Sequence, residues 1–223
     1  MAKFRLMVLI VLVALVYFPL DGYSGDHEIL RMISEGGDPI AQNTLGSLYF
    51  KGLDGVPVDY AEAAKWFSLS AEQGYDDSQF MLGIMYDQGR GIPVNHEKAV
   101  EWLNKAAAKG HYGAQGYLGR VYLNGTGTIQ PNPFRAIYLL EKAAGQGKPD
   151  DQFLVAVVYC FGRHGVPENY VKAYSWSSIA AAQGHRHARD IINYLKTVMT
   201  PNQIAESQKE ADVIWKRLQE KLN

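Results

Sequence analysis

The feature that most constrains this chain is that it repeats itself. Leu45-Gly46 returns as Leu82-Gly83 and Leu118-Gly119 and, in altered form, as Val155-Ala156, at separations of 37, 36 and 37 residues. Tyr49, Tyr86, Tyr122 and Tyr159 keep the same spacing, as do Gly74, Gly110, Gly147 and Gly184, and the polar residues Asp59, Asn95, Asn132 and Asn169. Four columns in one register exclude coincidence and describe one unit written four times. A unit of this length cannot bury its own apolar face. Stacked neighbours can, so the expected architecture is an array and not a globule.

Each unit reads as two helices. In the first, Ala41, Leu45, Leu48 and Tyr49 fall on one helical face. Gly46 sits inside that helix, where glycine costs about 1 kcal/mol against alanine. Its recurrence predicts a neighbouring backbone too close for a side chain. The first helix breaks at Gly52 to Pro57, with equivalents at Gly89 to Pro93 and Gly162 to Pro167. An N-cap follows: Asp59 with Glu62 reads as a capping box, and Asn132-Pro133 places proline at the first helical position. The second helix presents Ala63, Trp66, Phe67, Ser70 and Ala71, repeated as Ala99, Trp102, Leu103, Ala106 and Ala107, and stops at pairs such as Gln73-Gly74. The fold class is therefore all-α, an α-solenoid of antiparallel helix pairs.

Ala41-Gln42-x-x-Leu45-Gly46-x-x-Tyr49, Gly55-Val56-Pro57-x-Asp59, Ala63-x-x-Trp66 and Ala71-x-Gln73-Gly74 resemble the Sel-one-like repeat (SLR), a branch of the tetratricopeptide-like helical repeats. The resemblance covers Ala41 to His187 and implies a right-handed superhelix. It divides the chain into a leader over 1–25, a partial repeat over 26–40 and four repeats over 41–77, 78–113, 114–150 and 151–187. Closing helices over 188–223 complete it. Thr200-Pro201-x-Gln203 resembles a segment that closes such arrays, and Ile204, Ala211, Trp215, Leu218 and Leu222 make one stripe that would cap the last apolar face. The third linker, Gly125 to Pro131, carries its proline two places late, and the fourth unit has Ala156 for glycine. Cysteine-rich secreted relatives bridge their helix pairs with disulfides. With Cys160 alone, this chain does not take on their properties.

Residues 1–18 form an address: Lys3 and Arg5 precede Leu6 to Phe18, which carries no charge, and Pro19, Asp21, Gly22 and Ser24 follow. This is the pattern of a secretory signal peptide, with cleavage expected after Ser24. Leu6 to Leu20 is shorter than the roughly 20 apolar residues of a membrane span, and a retained anchor is the alternative. No cysteine follows the run to carry a lipid. Either way the remainder lies across a membrane, in the periplasm or outside.

The charge balance, 22 basic against 23 acidic residues in 223, supplies no broad basic field for nucleic acid. One cysteine allows neither an intrachain disulfide nor a thiolate zinc cluster. Trp66, Trp102 and Trp176 share a repeat column, and with Trp215 they read as packing residues and not as a stacking platform. His185-Arg186-His187 looks like a metal clip, but His111, Tyr75 and Lys148 fill the His185 column elsewhere, which makes it a structural position. Asp76-Asp77 and Asp150-Asp151 read as turn or cap acids and not as a calcium loop. Cys160 reads as a small buried hydrophobe. No nucleophile elbow, zinc-protease motif or phosphate loop occurs. No catalytic, cofactor-binding or metal-binding residue is assigned, and no cofactor is expected.

What varies between units is one stripe of the first helix: Asn43, Ser47 and Lys51; Phe80, Ile84 and Gln88; Gly116, Arg120 and Asn124; Phe153, Val157 and Phe161. These stripes are expected to floor a concave face that takes a protein or peptide, with Asn43, Ser47, Lys51, Phe80, Ile84, Gln88, Arg120, Asn124, Val157 and Phe161 as contact residues. Phe80 and Phe153 read equally well as packing between repeats. The resemblance implies scaffolding, signalling or host interaction. An exported non-enzymatic adaptor is the leading expectation; an envelope enzyme or cell-wall ligand binder, or a membrane-anchored assembly subunit, is the alternative.

Overall fold

The structure, a computed structural model, describes residues 24–222. The leader and the choice between cleavage and anchoring lie outside the described residues. Those residues contain no strand: an antiparallel bridge between Thr126 and Ile129 closes the third linker. No described helix is long and apolar enough to cross a membrane. The chain divides into two compact units at Trp102 and Leu103.

The first unit holds α1 (Ser24–Glu35), α2 (Pro39–Lys51), α3 (Tyr60–Glu72), α4 (Asp76–Gln88) and the start of α5 (His96–Ala108). Each of α1 to α3 packs on the next. Its core is Ala63, Ala64, Phe67, Ala71, Leu82 and Met85, with Tyr49, Tyr86 and Trp102 partly buried against it. The second unit holds the end of α5, then α6 (Tyr112–Asn124), α7 (Pro133–Ala144), α8 (Pro149–Phe161), a 3-10 turn (Arg163–Gly165) and α9 (Tyr170–Ala182). It closes with α10 (Ala188–Val198) and α11 (Pro201–Leu222). Leu118, Leu140, Val155, Val158 and Leu195 are fully buried there. Both α10 and α11 pack on α9. α1 packs on α2, and its Ser34 carbonyl accepts from Gln42 Nε2 at 3.0 Å. In α11 a capping box forms: Gln203 N donates to Thr200 Oγ1 at 3.3 Å, and Thr200 N donates to Gln203 Oε1 at 2.9 Å.

The columns now have physical reasons. The backbone N–H of Asp59, Asn95, Asn132 and Asn169 donates to the carbonyl of Tyr49, Tyr86, Tyr122 and Tyr159 at 2.9, 2.9, 2.7 and 2.9 Å. This bond returns the linker to the end of the first helix. The same Asp and Asn side chains cap the second helix, as Asn132 Oδ1 does for the Arg135 N–H at 3.0 Å. The Asp59 box is only half made: its side chain takes the Ala61 and Glu62 amides, but its own N–H is spent on Tyr49 and Glu62 pairs with Lys65. Gly74, Gly110, Gly147 and Gly184 end the second helices at φ of 91°, 92°, 98° and 86°.

The glycine inside the first helix has a different cause from the one expected. A Cβ on Gly46 would lie 3.0 Å from the Phe67 ring, and one on Gly119 would lie 2.6 Å from Leu140 Cδ2 and Cγ. The close neighbour is foremost a large side chain of the partner helix, not a backbone. Where the fourth repeat has Ala156, the Phe67–Leu140 register carries Ser177, and both are fully buried. The larger residue on one helix is matched by the smaller one on the other.

A buried glutamine ladder joins successive repeats. Gln42, Gln79, Gln115 and Gln152 each donate to a carbonyl eight residues back, at Ser34, Ala71, Ala107 and Ala144, which satisfies the last turn of the preceding helix. Gln73, Gln146 and Gln183 then donate to the Oε1 of Gln42, Gln115 and Gln152 at 2.8 to 2.9 Å.

Candidate functional site

In the first unit, Asn43 and Ser47 on α2 and Phe80 and Ile84 on α4 are half-buried, while Lys51 and Gln88 at the helix ends are exposed. Asn43 is engaged from below, since Ser78 Oγ donates to its Oδ1 at 2.8 Å. This unit therefore offers two half-open apolar groups on α4, and a cation and an amide exposed at the ends of α2 and α4.

In the second unit, Arg120 on α6 is half exposed and donates to Asp151 Oδ1 at 3.3 Å. Asp151 is thus drawn into the interior of the first turn of α8, and Asp150 beside it is exposed. Both acids stand at a helix N-terminus, where negative charge is favoured. Gly116 is buried and adds nothing to the outer surface. Asn124 is exposed and Val157 half-buried. Phe161 is 46% exposed, stacks on Tyr194 of α10 at 5.9 Å between centroids, and carries the Arg163 guanidinium 5.7 Å over its ring. Phe153 is a packing residue: His185 stacks on it at 4.1 Å, and His187 lies 6.5 Å away. His185 is largely enclosed, with Nε2 3.5 Å from Asp150 Oδ1. Among the described residues no three His, Cys, Asp or Glu side chains gather as a metal site.

A second set of residues stands out only in three dimensions. Lys98, Arg135 and Lys172 share the third position of the second helices and place their charges over the rings of Tyr86, Tyr122 and Tyr159 at 5.4, 4.5 and 4.9 Å. A cation there opposes the helix dipole, and the ring supplies the compensation. In the fourth repeat this becomes a network: Lys172 Nζ donates to Glu141 Oε1 at 2.9 Å and to Tyr159 Oη at 3.1 Å, and Tyr159 Oη donates to Glu141 at 2.9 Å. Burial pulls the Lys172 ammonium down, but its bonds to Glu141 and Tyr159 outweigh that and hold it above the usual lysine range. Burial also pushes the Tyr159 phenol up. Cys160, fully buried, has its thiol pushed up to about 11 by burial and then by the Glu168 charge. At neutral pH these groups are an ammonium, a phenol and a thiol, the forms that neither attack nor abstract a proton.

One tryptophan departs from the expected packing. Trp176 is buried and Trp66 and Trp102 are half-buried, but Trp215 is 36% exposed. The buried face of α11 runs through Ser207, Ala211 and Leu218, with Ser207 completely covered. Ser175 Oγ lies 3.0 Å from the Ser207 carbonyl and 3.1 Å from Glu210 Oε2, which share its single proton with the Val171 carbonyl at 2.8 Å. A polar seam therefore anchors α11, with Trp215 at its edge. Beside it lies a cleft of about 470 Å³ between α7, α9 and α11.

Sel1 repeats are matched at residues 39–75, 76–111, 113–148 and 149–185. A Sel1 repeat protein from Oxalobacter formigenes superposes with a TM-score of 0.61 at 36% identity, over 74% of this chain and 47% of that one. A protective antigen of uropathogenic Escherichia coli strains, described as displaying an SLR fold, gives 0.52 at 26% identity, over 88% of this chain and 50% of that one. A putative sel1-like repeat-containing protein of Acanthamoeba polyphaga mimivirus is 35% identical over 60 residues, 27% of this chain and 11% of that protein. The chain thus spans about half the length of these solved structures and a small part of the viral protein. With four consecutive repeats matched over more than half of its residues, the chain belongs to the Sel1 repeat family.

Proposed function

We propose that the chain is a non-enzymatic protein-binding scaffold, exported to the periplasm or held at the envelope, whose first-helix stripes take a protein or peptide. The observation that carries the reading is the exposed Phe161–Tyr194 stack with Arg163 above it and Val157 alongside. An aromatic pair, an aliphatic neighbour and a guanidinium are the composition of an interaction hot spot. In the first unit, half-buried Phe80 and Ile84 on α4, with Gln88 exposed one turn beyond, offer a smaller apolar surface. Export rests on the charged and apolar order of residues 1–18.

Affinity capture from envelope extract of the native host tests this. The wild-type chain is expected to retain a defined protein that Phe161→Ser and Ile84→Ser lose while keeping wild-type circular dichroism. Capture indifferent to both substitutions, or none at all, overturns the reading.

A further inference from the structure

The second helices carry an outward column that changes character along the array. It reads Ala61, Lys65 and Leu69 in the first repeat and Glu97, Glu101 and Lys105 in the second. In the fourth it reads Val171, Ser175 and Ile179, and there α11 covers it: Ser175 and Ile179 are buried, and Ser175 Oγ lies within hydrogen-bond reach of the Ser207 carbonyl and Glu210 on α11. In the third repeat the same column is Phe134, Tyr138 and Lys142, and it is open. Phe134 is 72% exposed and Tyr138 56%, and Lys142 Nζ stands 4.6 Å over the Tyr138 ring.

Exposed aromatics aligned at i and i+4 form an apolar strip that water does not favour. The strip runs about 12 Å along α7 from Phe134 to Lys142, and Lys142 leads into the cleft beside α11. Trp176, Ile214 and Leu218 line that cleft, with Lys142, Arg217 and Glu220 at its rim. The carboxylate of Glu141, also at the cleft, is already held by Lys172 and Tyr159. Two cations therefore stand against one uncommitted rim carboxylate.

We infer that this groove docks an amphipathic helix of a partner protein, laid along Phe134 and Tyr138 with its carboxylates toward Lys142 and Arg217. Continuity with the α9–α11 contact sets the form of the occupant. Where this column is covered, a helix covers it, and that helix brings Glu210 to the seam. The groove lies on the second helices and is separate from the first-helix stripes, so either surface can fail without the other.

The test is selection from a yeast-displayed library of 18-residue amphipathic helices against the full chain. The expected winners carry apolar residues at i and i+4 with Asp or Glu beside them. Their affinity falls at least tenfold for Phe134→Ala/Tyr138→Ala and for Lys142→Glu, and is unchanged for Phe161→Ala. No enrichment, or winners indifferent to the α7 substitutions, overturns the proposal. So does a concentration-dependent dimer of the full chain that Phe134→Ala/Tyr138→Ala abolishes, since a second copy is then the occupant.

Discussion

Gly119→Ala isolates the packing rule that builds each helix pair. In an unobstructed helix interior the change stabilises by about 1 kcal/mol, because alanine lowers the backbone entropy lost on folding. Here the new Cβ would stand 2.6 Å from Leu140 Cδ2 and Cγ and 3.3 Å from Leu140 N. Carbon atoms in contact prefer about 3.5–4.0 Å, so α6 and α7 must separate by roughly 1 Å or Leu140 must leave its rotamer. Overpacking of that kind costs about 1–3 kcal/mol, which outweighs the propensity gain. Leu140→Ala alone costs about 2–5 kcal/mol through its cavity. In the double variant the added methyl enters that cavity, so the pair is expected to couple favourably by about 1–3 kcal/mol. Urea denaturation followed by far-ultraviolet circular dichroism, run as a double-mutant cycle, measures this. A higher midpoint for Gly119→Ala, or strictly additive variants, would refute the reasoning. Gly46→Ala is the graded control, with only ring atoms at 3.0–3.2 Å, and is expected to lose less.

Alkaline pH is expected to unfold the second unit, and the sign follows from three groups. The Cys160 thiol is raised from 9.0 to about 11, so its contribution is complete below pH 9 and is lost as pH climbs through 11. Tyr159 and Lys172 are raised as well, so the stability they supply is also lost at high pH. Cys160→Ala should flatten the fall in thermal midpoint between pH 9 and 11; an unchanged slope contradicts the burial of the thiol. Gly91→Ala should prevent folding, because at φ +72° its Cβ would fall 2.1 Å from the Tyr60 carbonyl oxygen. Gly37→Ala, at φ +93° with nothing within 4 Å, should cost only the roughly 1 kcal/mol of left-handed backbone. Equal losses at the two sites, read by thermal melting, would remove the steric argument.

The repeat made most of the fold legible. Each column residue acts within its own helix pair, so the spacing of Tyr122 and Asn132 already encodes the amide-to-carbonyl bond between them. What stayed hidden depends on partners set by packing. The Gln42–Gln73 and Gln115–Gln146 bonds join residues 31 apart, and Lys172 meets Glu141 across the same interval. No local pattern announces such pairs. Trp215 lies off the covered face because the apolar stripe of Ile204, Ala211, Trp215, Leu218 and Leu222 takes no account of the polar residues that are also buried. Ser207, Ala211, Ile214 and Leu218 put the centre of the covered face about 70° away from it, at 100° per residue. A fully buried serine carries no hydrophobic signal. The candidate surface was legible as a set of variable positions, but its chemistry was not. Phe161 gains its character from Tyr194 on a closing helix, and Arg120 spends part of its charge on Asp151.

Site-specific photocrosslinking in the native host reads out whatever covers the first-helix stripes. A benzophenone side chain at position 161 or 84 should yield a discrete crosslinked protein of higher mass, and the same group at exposed Lys65 on α3 should not. An identical adduct pattern at all three positions, or no adduct at 161 and 84, would contradict a partner surface on the first-helix stripes.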